Sequence, residues 1–446
     1  MKLGGKTVLV IGLKRTGVSV ARFIGQHGGR VRVSDRQSKA QLADELATLA
    51  ELAPDIRLGD EDETLLTGVD LVVPSPGVPY AAPLLRAAVR RGIPVWSEIE
   101  LAFRFLRCPV LAVTGTNGKS TTTTLLGEFL HKKGERVFVG GNLGTPLLDA
   151  VNRHYEVAVV EVSSFQLEWV EQFHPQIGVW LNLTEDHLDR HGTLFAYGQV
   201  KRKLFERQQP RAWAVINRDD AAVCEAMQGL PGQVFSFGWS PTEHGAWIDE
   251  RSQTLILRHD GSETNVSLAQ LRLYGRHNLE NVMAAVSAAL LWKVPIDVVE
   301  QTIATFSGLP HRLEFVASKG GVTYFDDSKG TNVGAVLQSL ASFTAPVILL
   351  AGGVDKGGDY GPLRGPVRTK VKKLILFGEA RETIFAALGG ETTTVVVDTL
   401  ADAVREAAGS ARTGDVVLLS PACASFDQFR NYAHRGDVFR ACVEAL

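Results

Sequence analysis

From Pro109 to Leu130 the chain reads as an apolar run, then the glycine turn Val113-Thr114-Gly115-Thr116-Asn117-Gly118-Lys119-Ser120-Thr121, then a helix-like stretch at 122–130. A strand delivered into a helix through a short glycine turn belongs to the α/β class of folds. The turn has the makings of a phosphate cradle. Unpaired amides and the positive dipole end of a helix N-terminus favour anions, and the glycines let backbone approach phosphate oxygens. In such a cradle Lys119 can reach the terminal phosphates, and Ser120 would hold a Mg2+ ion. The spacing is shorter than GxxxxGK[ST], which would put glycine where Val113 stands, and only Thr116 and Asn117 separate Gly115 from Gly118. The short form points away from the common GTPases. A plain strand-to-helix turn has no need of Lys-Ser-Thr directly after its glycine.

A chain of 446 residues has room for about three domains of roughly 100 to 200 residues each. The net charge of −2 gives no general attraction to nucleic acid or anionic membranes, so phosphate chemistry here is local and the partners are small molecules. Cys108, Cys224, Cys423 and Cys442 are too scattered for a zinc pattern or a dense disulfide framework, which fits a reducing cytoplasm. The apolar run at 8–13 is broken by Lys14 and Arg15, too short for a signal-peptide core or a membrane span.

Strand-like runs at 7–11, 31–34, 70–73 and 93–96 alternate with helical stretches at 16–26 and 81–91, the βαβ rhythm of a parallel sheet. The first turn, Gly12-Leu13-Lys14-Arg15-Thr16-Gly17, and Asp35 at the end of the second run resemble a Rossmann unit with Lys14 in place of its middle glycine. That pattern favours a nucleotide diphosphate over NAD; the lesser alternative is that Gly12 and Gly17 merely turn the chain and Asp35 is a solvated strand end. A second segment begins near Ser97 and carries the phosphate loop, with buried-strand candidates at 157–162 and 177–183 whose ends are polar. His277 and Asn281 lie four apart on a predicted helix and face one way. Past Ser307-Gly308-Leu309-Pro310 a third βαβ series places strands at 322–325, 347–350, 373–377, 394–397 and 416–419, again with polar clusters at the strand ends. The expected fold is α/β in three domains: Rossmann-like over 1–97, a central P-loop-type ATPase sheet over 98–307 and a second Rossmann-like domain over 308–446.

Glu161 stands where a P-loop sheet places a Mg2+-binding acid, although a strand-end glutamate can also cap a helix. His187 is a poorer magnesium ligand, because imidazole prefers softer ions. Lys201, in the basic stretch Tyr197-Gly198-Gln199-Val200-Lys201-Arg202-Lys203, reads by composition as a solvated surface lysine.

The stretches Gly115-Thr116-Asn117-Gly118-Lys119-Ser120-Thr121, Glu161-Val162-Ser163-Ser164-Phe165-Gln166-Leu167-Glu168, Asn182-Leu183-Thr184-Glu185-Asp186-His187-Leu188-Asp189, His277-Asn278, His311-Arg312, Asp327-Ser328-Lys329 and Ser420-Pro421-Ala422-Cys423-Ala424-Ser425, in this order over nearly the whole chain, resemble the Mur ligases, and within them the D-glutamate-adding type. The Thr-Asn-Gly-Lys loop alone also fits folylpolyglutamate synthetase. A nicotinamide oxidoreductase and a P-loop switch remain as readings from other classes; the imperfect first glycine pattern and the lysine-bearing strand ends of the third segment speak against them.

The resemblance implies an ATP-dependent ligase that joins D-glutamate to UDP-N-acetylmuramoyl-L-alanine for peptidoglycan precursor synthesis. The substrate carboxylate attacks the γ-phosphate, and the D-glutamate amine then attacks the acyl phosphate. It implies two Mg2+ ions, held by Ser120, Glu161, His187 and a carbamylated Lys201, with Lys119, His187 and Lys201 as the catalytic set. The implied ATP contacts are Gly115 to Thr121 with Asn278, Asn281, Arg312 and Asp327. Gly12, Thr16, Asp35, Arg36 and Asn142 would hold the UDP substrate, and Lys329, Thr331, Lys356, Ser425 and Phe426 the D-glutamate. A cytoplasmic monomer is expected.

Overall fold

A computed structural model describes residues 2–59, 62–355 and 357–446. Among the described residues nineteen strands form three sheets. The first contains β1 (Thr7–Ile11), β2 (Arg30–Asp35), β3 (Asp55–Leu58) and β4 (Leu71–Pro74), all parallel, in the order β3-β2-β1-β4. The strands β1 and β4 are buried and largely apolar without alternation because helices cover both faces. Val8 and Val10 pack with Val20, Phe23 and Ile24 of the helix Arg15–Gln26, whereas Leu9 and Ile11 pack with Leu84, Leu85 and Ala88 of the helix Pro83–Arg90. The run at 93–96, expected as a strand, makes a single parallel bridge from Val95 to Val72. Pro94 brings no N–H to a ladder, which is one reason the pairing goes no further.

The second sheet contains β5 (Val110–Thr114), β6 (Val137–Gly141), β7 (Val157–Glu161), β8 (Ile177–Trp180), β9 (Trp213–Asn217), β10 (Gln233–Phe237), β11 (Gly245–Asp249), β12 (Thr254–His259) and β13 (Ser262–Ser267). The order is β13-β12-β11-β10-β9-β8-β5-β7-β6, parallel from β6 to β11 and antiparallel across β11, β12 and β13. The glycine-loop strand β5 therefore lies between β7 and β8, with Val113 in register with Glu161 and Thr114 with Trp180. That register sets the end of β7 beside the start of the loop, the edge where parallel sheets collect ligands.

The third sheet contains β14 (Glu314–Lys319), β15 (Val322–Asp326), β16 (Val347–Gly352), β17 (Val371–Phe377), β18 (Thr393–Val396) and β19 (Val416–Leu419), in the order β14-β15-β19-β16-β17-β18, with only β14 antiparallel. The chain packs as two compact units: residues 1–269 with 281–302 carry the first two sheets, and residues 270–280 with 303–446 carry the third. No described helix is long and apolar enough to cross a membrane.

Candidate nucleotide and substrate site

Gly118 sits at φ 84° immediately before the helix Lys119–Lys132, a backbone conformation that favours glycine. A Cβ there would fall 2.1 Å from Asn281 Oδ1 and 3.1 Å from Leu181 Cδ1, so the loop is pressed against the buried Asn281 side chain. Asn182, at the end of β8, stitches the loop from the other side. Its Oδ1 accepts from the amides of Thr116 (3.0 Å) and Asn117 (2.9 Å), and its Nδ2 donates to Asn117 O. Thr116 and Thr184 exchange a further pair of bonds. Lys119 folds back to donate to the carbonyls of Gly115 (2.9 Å) and Thr116 (2.7 Å). Ser120 and Thr121 are buried in the first turn of the same helix.

Lys201 is 1% exposed, the opposite of the solvated lysine its composition suggests. The helix Leu194–Glu206 drives it inward, where its Nζ donates to Gly115 O at 2.8 Å and lies 4.6 Å over the Tyr197 ring. Burial first, then the charge of Lys119, lower its pKa well below the ordinary lysine value; Asp186 and Glu161 oppose the shift. The two lysines thus share the Gly115 carbonyl. Glu161 ends β7 at 3% exposure; its Oε1 accepts from Asn142 Nδ2 at 2.6 Å, while among the described residues nothing bonds its buried Oε2. An unsatisfied buried carboxylate oxygen signals a missing partner. His187 adopts φ 54°, with its ring 4.7 Å from Phe165 and its Nε2 3.6 Å from Asp186 Oδ2. Burial lowers the His187 pKa, against the pull of Asp186 and Asp189, and a neutral imidazole keeps a lone pair for a metal.

These donors fit the expected ions. Glu161 and Ser120 are hard oxygen ligands suited to Mg2+, and the orphaned Glu161 Oε2 is the observation that asks for a cation. Lys201 suits a cation only once its nitrogen carries a carboxylate, since an ammonium repels one.

In the first sheet, Gly12 takes φ 84°, and a Cβ on Gly17 would lie 2.0 Å from Gly12 O, so the helix start packs directly on the turn. Asp35 clamps that turn: its Oδ2 accepts from Leu13 N at 2.7 Å and its Oδ1 from Gln37 N at 2.8 Å. Thr16 is partly exposed, and Arg36 is exposed beside Asp35. Lys14, in place of the usual glycine, pairs with Glu45 at the surface. Arg190 joins this edge to the second sheet by donating to Pro76 O and Val78 O while paired with Glu168.

The third sheet gathers its own polar cluster at the ends of β15, β16 and β19. Asp327 Oδ2 accepts from Ser339 Oγ (2.7 Å) and Ser420 Oγ (2.8 Å), and burial raises its pKa to about 6. Asp327 therefore serves first as an internal brace, with the charge of Arg312 nearby. Lys329 Nζ lies 3.9 Å over the Tyr432 ring, Thr331 N bonds Lys329 O, Ser425 is buried and Phe426 is 73% exposed. Lys356 lies outside the described residues. Asn278 belongs to this unit, its Nδ2 donating to Tyr274 O, whereas Asn281 lies with the glycine loop.

Two residues central to this geometry carried no assigned role in the sequence reading. Asn182 was visible in its motif, but nothing in the string shows that its side chain holds two loop amides. Arg435 is fully buried and donates to Ser328 Oγ, Ser328 O, Cys423 O, Ala424 O and Gly352 O, tying together all three strand ends. No local signal marks it among the other arginines of the chain.

Three family models match: Mur ligase MurD-like N-terminal domain over residues 6–97, Mur ligase middle domain over 113–289 and Mur ligase glutamate ligase domain over 311–423. A Geotalea daltonii protein named UDP-N-acetylmuramoylalanine-D-glutamate ligase is 46% identical over 449 residues, covering 100% of this chain and 99% of that one. A protein of the same name from Trichlorobacter lovleyi is 46% identical over 448 residues, covering 100% of each. Among solved structures, Thermotoga maritima MurF ligase in complex with ADP covers 100% of both chains with a TM-score of 0.61 at 17% identity, a likeness of fold. With three family models spanning most of its length and relatives of this identity over all of it, the chain belongs to the Mur ligase family.

Proposed function

We propose that the chain is the family's D-glutamate-adding ligase, acting in the cytoplasm as a monomer on UDP-N-acetylmuramoyl-L-alanine, D-glutamate and ATP. The observation that carries the reading is the conjunction at the end of β5: Lys119 and Lys201 donate to one carbonyl, Gly115 O, next to a buried Glu161 oxygen that nothing among the described residues satisfies. Phosphoryl transfer between anions needs concentrated positive charge and fixed donors rather than covalent help from the protein.

In this reading a substrate carboxylate oxygen bonds to the γ-phosphorus and ADP leaves. The D-glutamate nitrogen then bonds to the acyl carbon and loses its proton, and phosphate departs with the former carboxylate oxygen. The loop amides and Lys119 hold the triphosphate, with Thr116, Asn117, Ser120 and Thr121 alongside. Asn278, Asn281, Arg312 and Asp327 serve the adenosine side. Asn142 orients the sugar-peptide substrate, and Gly12, Thr16, Asp35 and Arg36 take its UDP. Lys329, Thr331, Lys356, Ser425 and Phe426 form the D-glutamate pocket.

Two Mg2+ ions, when bound by Ser120, Glu161, His187 and Lys201, supply the charge neutralisation that transfer requires. The depressed basicity of Lys201 supports its carbamylation, because only the neutral amine bonds to the carbon of CO2, releasing one proton and leaving an oxygen-bearing anion.

The test is phosphate release from ATP with UDP-N-acetylmuramoyl-L-alanine and, in turn, D-glutamate, L-glutamate, L-lysine and diaminopimelate. Release with D-glutamate alone is expected. Release only with another amino acid would assign a different Mur subtype, and release only with a folate acceptor a folylpolyglutamate synthetase-like enzyme.

A further inference from the structure

The antiparallel edge of the second sheet carries a histidine pair that the ligase chemistry does not use. The last ladder pair between β11 and β12 is Gly245 with Arg258, so His244 and His259 are the next cross-strand neighbours. Their Nδ1 atoms lie 3.4 Å apart. Two ligands about 2.1 Å from a tetrahedral ion are about 3.4 Å apart, so the rings already have the spacing a shared ion requires.

The surroundings set their orientation. His244 Nε2 lies 3.2 Å from Val234 O, which can only accept, so the proton sits on Nε2 and the lone pair of Nδ1 faces His259. A ligating histidine with its second nitrogen on a backbone carbonyl is the usual outer arrangement of metal sites. Asp260 opens the two-residue turn Asp260-Gly261 between β12 and β13, with φ 47° and 73°. The turn fixes its position, and one of its oxygens lies within 4.8 Å of a nitrogen from each histidine. Trp213 and Phe235 form an aromatic floor, with ring centroids 5.2 Å from His259 and 5.5 Å from His244.

We propose that His244, His259 and Asp260 form a second metal site, selective for late first-row divalent ions such as Zn2+, that braces the β11–β12 edge. Two imidazoles and one carboxylate suit Zn2+, Ni2+ or Cu2+, whereas Mg2+ demands an oxygen shell. On binding, neutral His259 changes tautomer, its proton moving from Nδ1 to Nε2 on the side of Asp260, and a water completes the coordination.

The experiment titrates the full chain with Zn2+ against a chromophoric chelator, in excess Mg2+ so that the hard-ion site is filled. Wild type is expected to bind one more equivalent than H244Q/H259Q, and D260N to weaken that equivalent about tenfold or more. Nitrogen NMR of the histidine rings should show Zn2+ moving two Nδ1 resonances that vanish in the double variant. Circular dichroism and Mg2+-supported phosphate release should stay unchanged in all variants, which separates loss of a site from loss of fold. Equal stoichiometry and affinity in wild type and double variant, or no competition by wild type for micromolar Zn2+, overturns the proposal.

Discussion

Gly118→Ala tests the loop geometry with a built-in control. At φ 84° an alanine is disfavoured by about 1–2 kcal/mol whatever its surroundings. The new methyl also meets Asn281 Oδ1 at 2.1 Å and Leu181 Cδ1 at 3.1 Å. Asn281 is only 4% exposed, so relief comes from moving the loop, at about 1–3 kcal/mol for an overpacked site. Gly134, just past the other end of the same helix, has φ 97° and nothing within 4 Å of its would-be Cβ. Gly134→Ala should therefore lose about 1–2 kcal/mol of stability in urea melts, and Gly118→Ala at least as much. Only Gly118→Ala should lower kcat/KM for ATP, by about 5- to 150-fold if the displacement energy falls on nucleotide binding. Equal ATP kinetics in the two variants would refute the claim that the loop is seated against Asn281.

Three further outcomes rest on single side chains. Asn182→Ala leaves the amide of Asn117 without its acceptor and that of Thr116 with the backbone carbonyl of residue 182 alone, at about 1–3 kcal/mol, and should raise the KM for ATP with little change in that for D-glutamate, read by initial rates. Lys201→Ala should abolish most synthesis, and short carboxylic acids should partly restore it by placing an oxygen anion where the carbamate would be; full activity without additives contradicts the carbamate. Glu98 is buried with its Oε1 on Leu148 N, and burial lifts its pKa from 4.5 to about 7. A carboxylate whose pKa is raised on folding favours the folded state less as pH climbs from about 4.5 to about 7, an effect of about 3 kcal/mol. Glu98→Gln keeps the acceptor without the charge, so its melting temperature should exceed wild type at pH 8 and match it below pH 5, and parallel curves would contradict this.

The apolar runs that became β1, β5, β16 and β19 are readable in sequence because strands buried on both faces need continuous Val, Leu and Ile. The edge strand β3, Asp55-Ile56-Arg57-Leu58, escaped notice because it is short, partly exposed and charged, as edge strands tend to be. The glycine loop and Glu161 were legible because phosphate and metal chemistry dictates residue type and spacing. Lys201 was not: composition puts a lysine at the surface, and only the resemblance pointed it toward the site, since its burial depends on how one helix packs on the end of β5. Asn182 and Arg435 show the same limit. Each acts by bonding backbone groups distant in sequence, a relation with no local pattern.

The central claim is that ATP activates a substrate carboxylate at the end of β5. Carboxyl-18O-labelled UDP-N-acetylmuramoyl-L-alanine, turned over with ATP and D-glutamate, tests it by mass spectrometry of the released phosphate. One 18O atom per phosphate is predicted, transferred when the carboxylate oxygen bonds to phosphorus. Unlabelled phosphate released along with ligated product would mean that the carboxylate never attacked ATP, and the account of this site would fail.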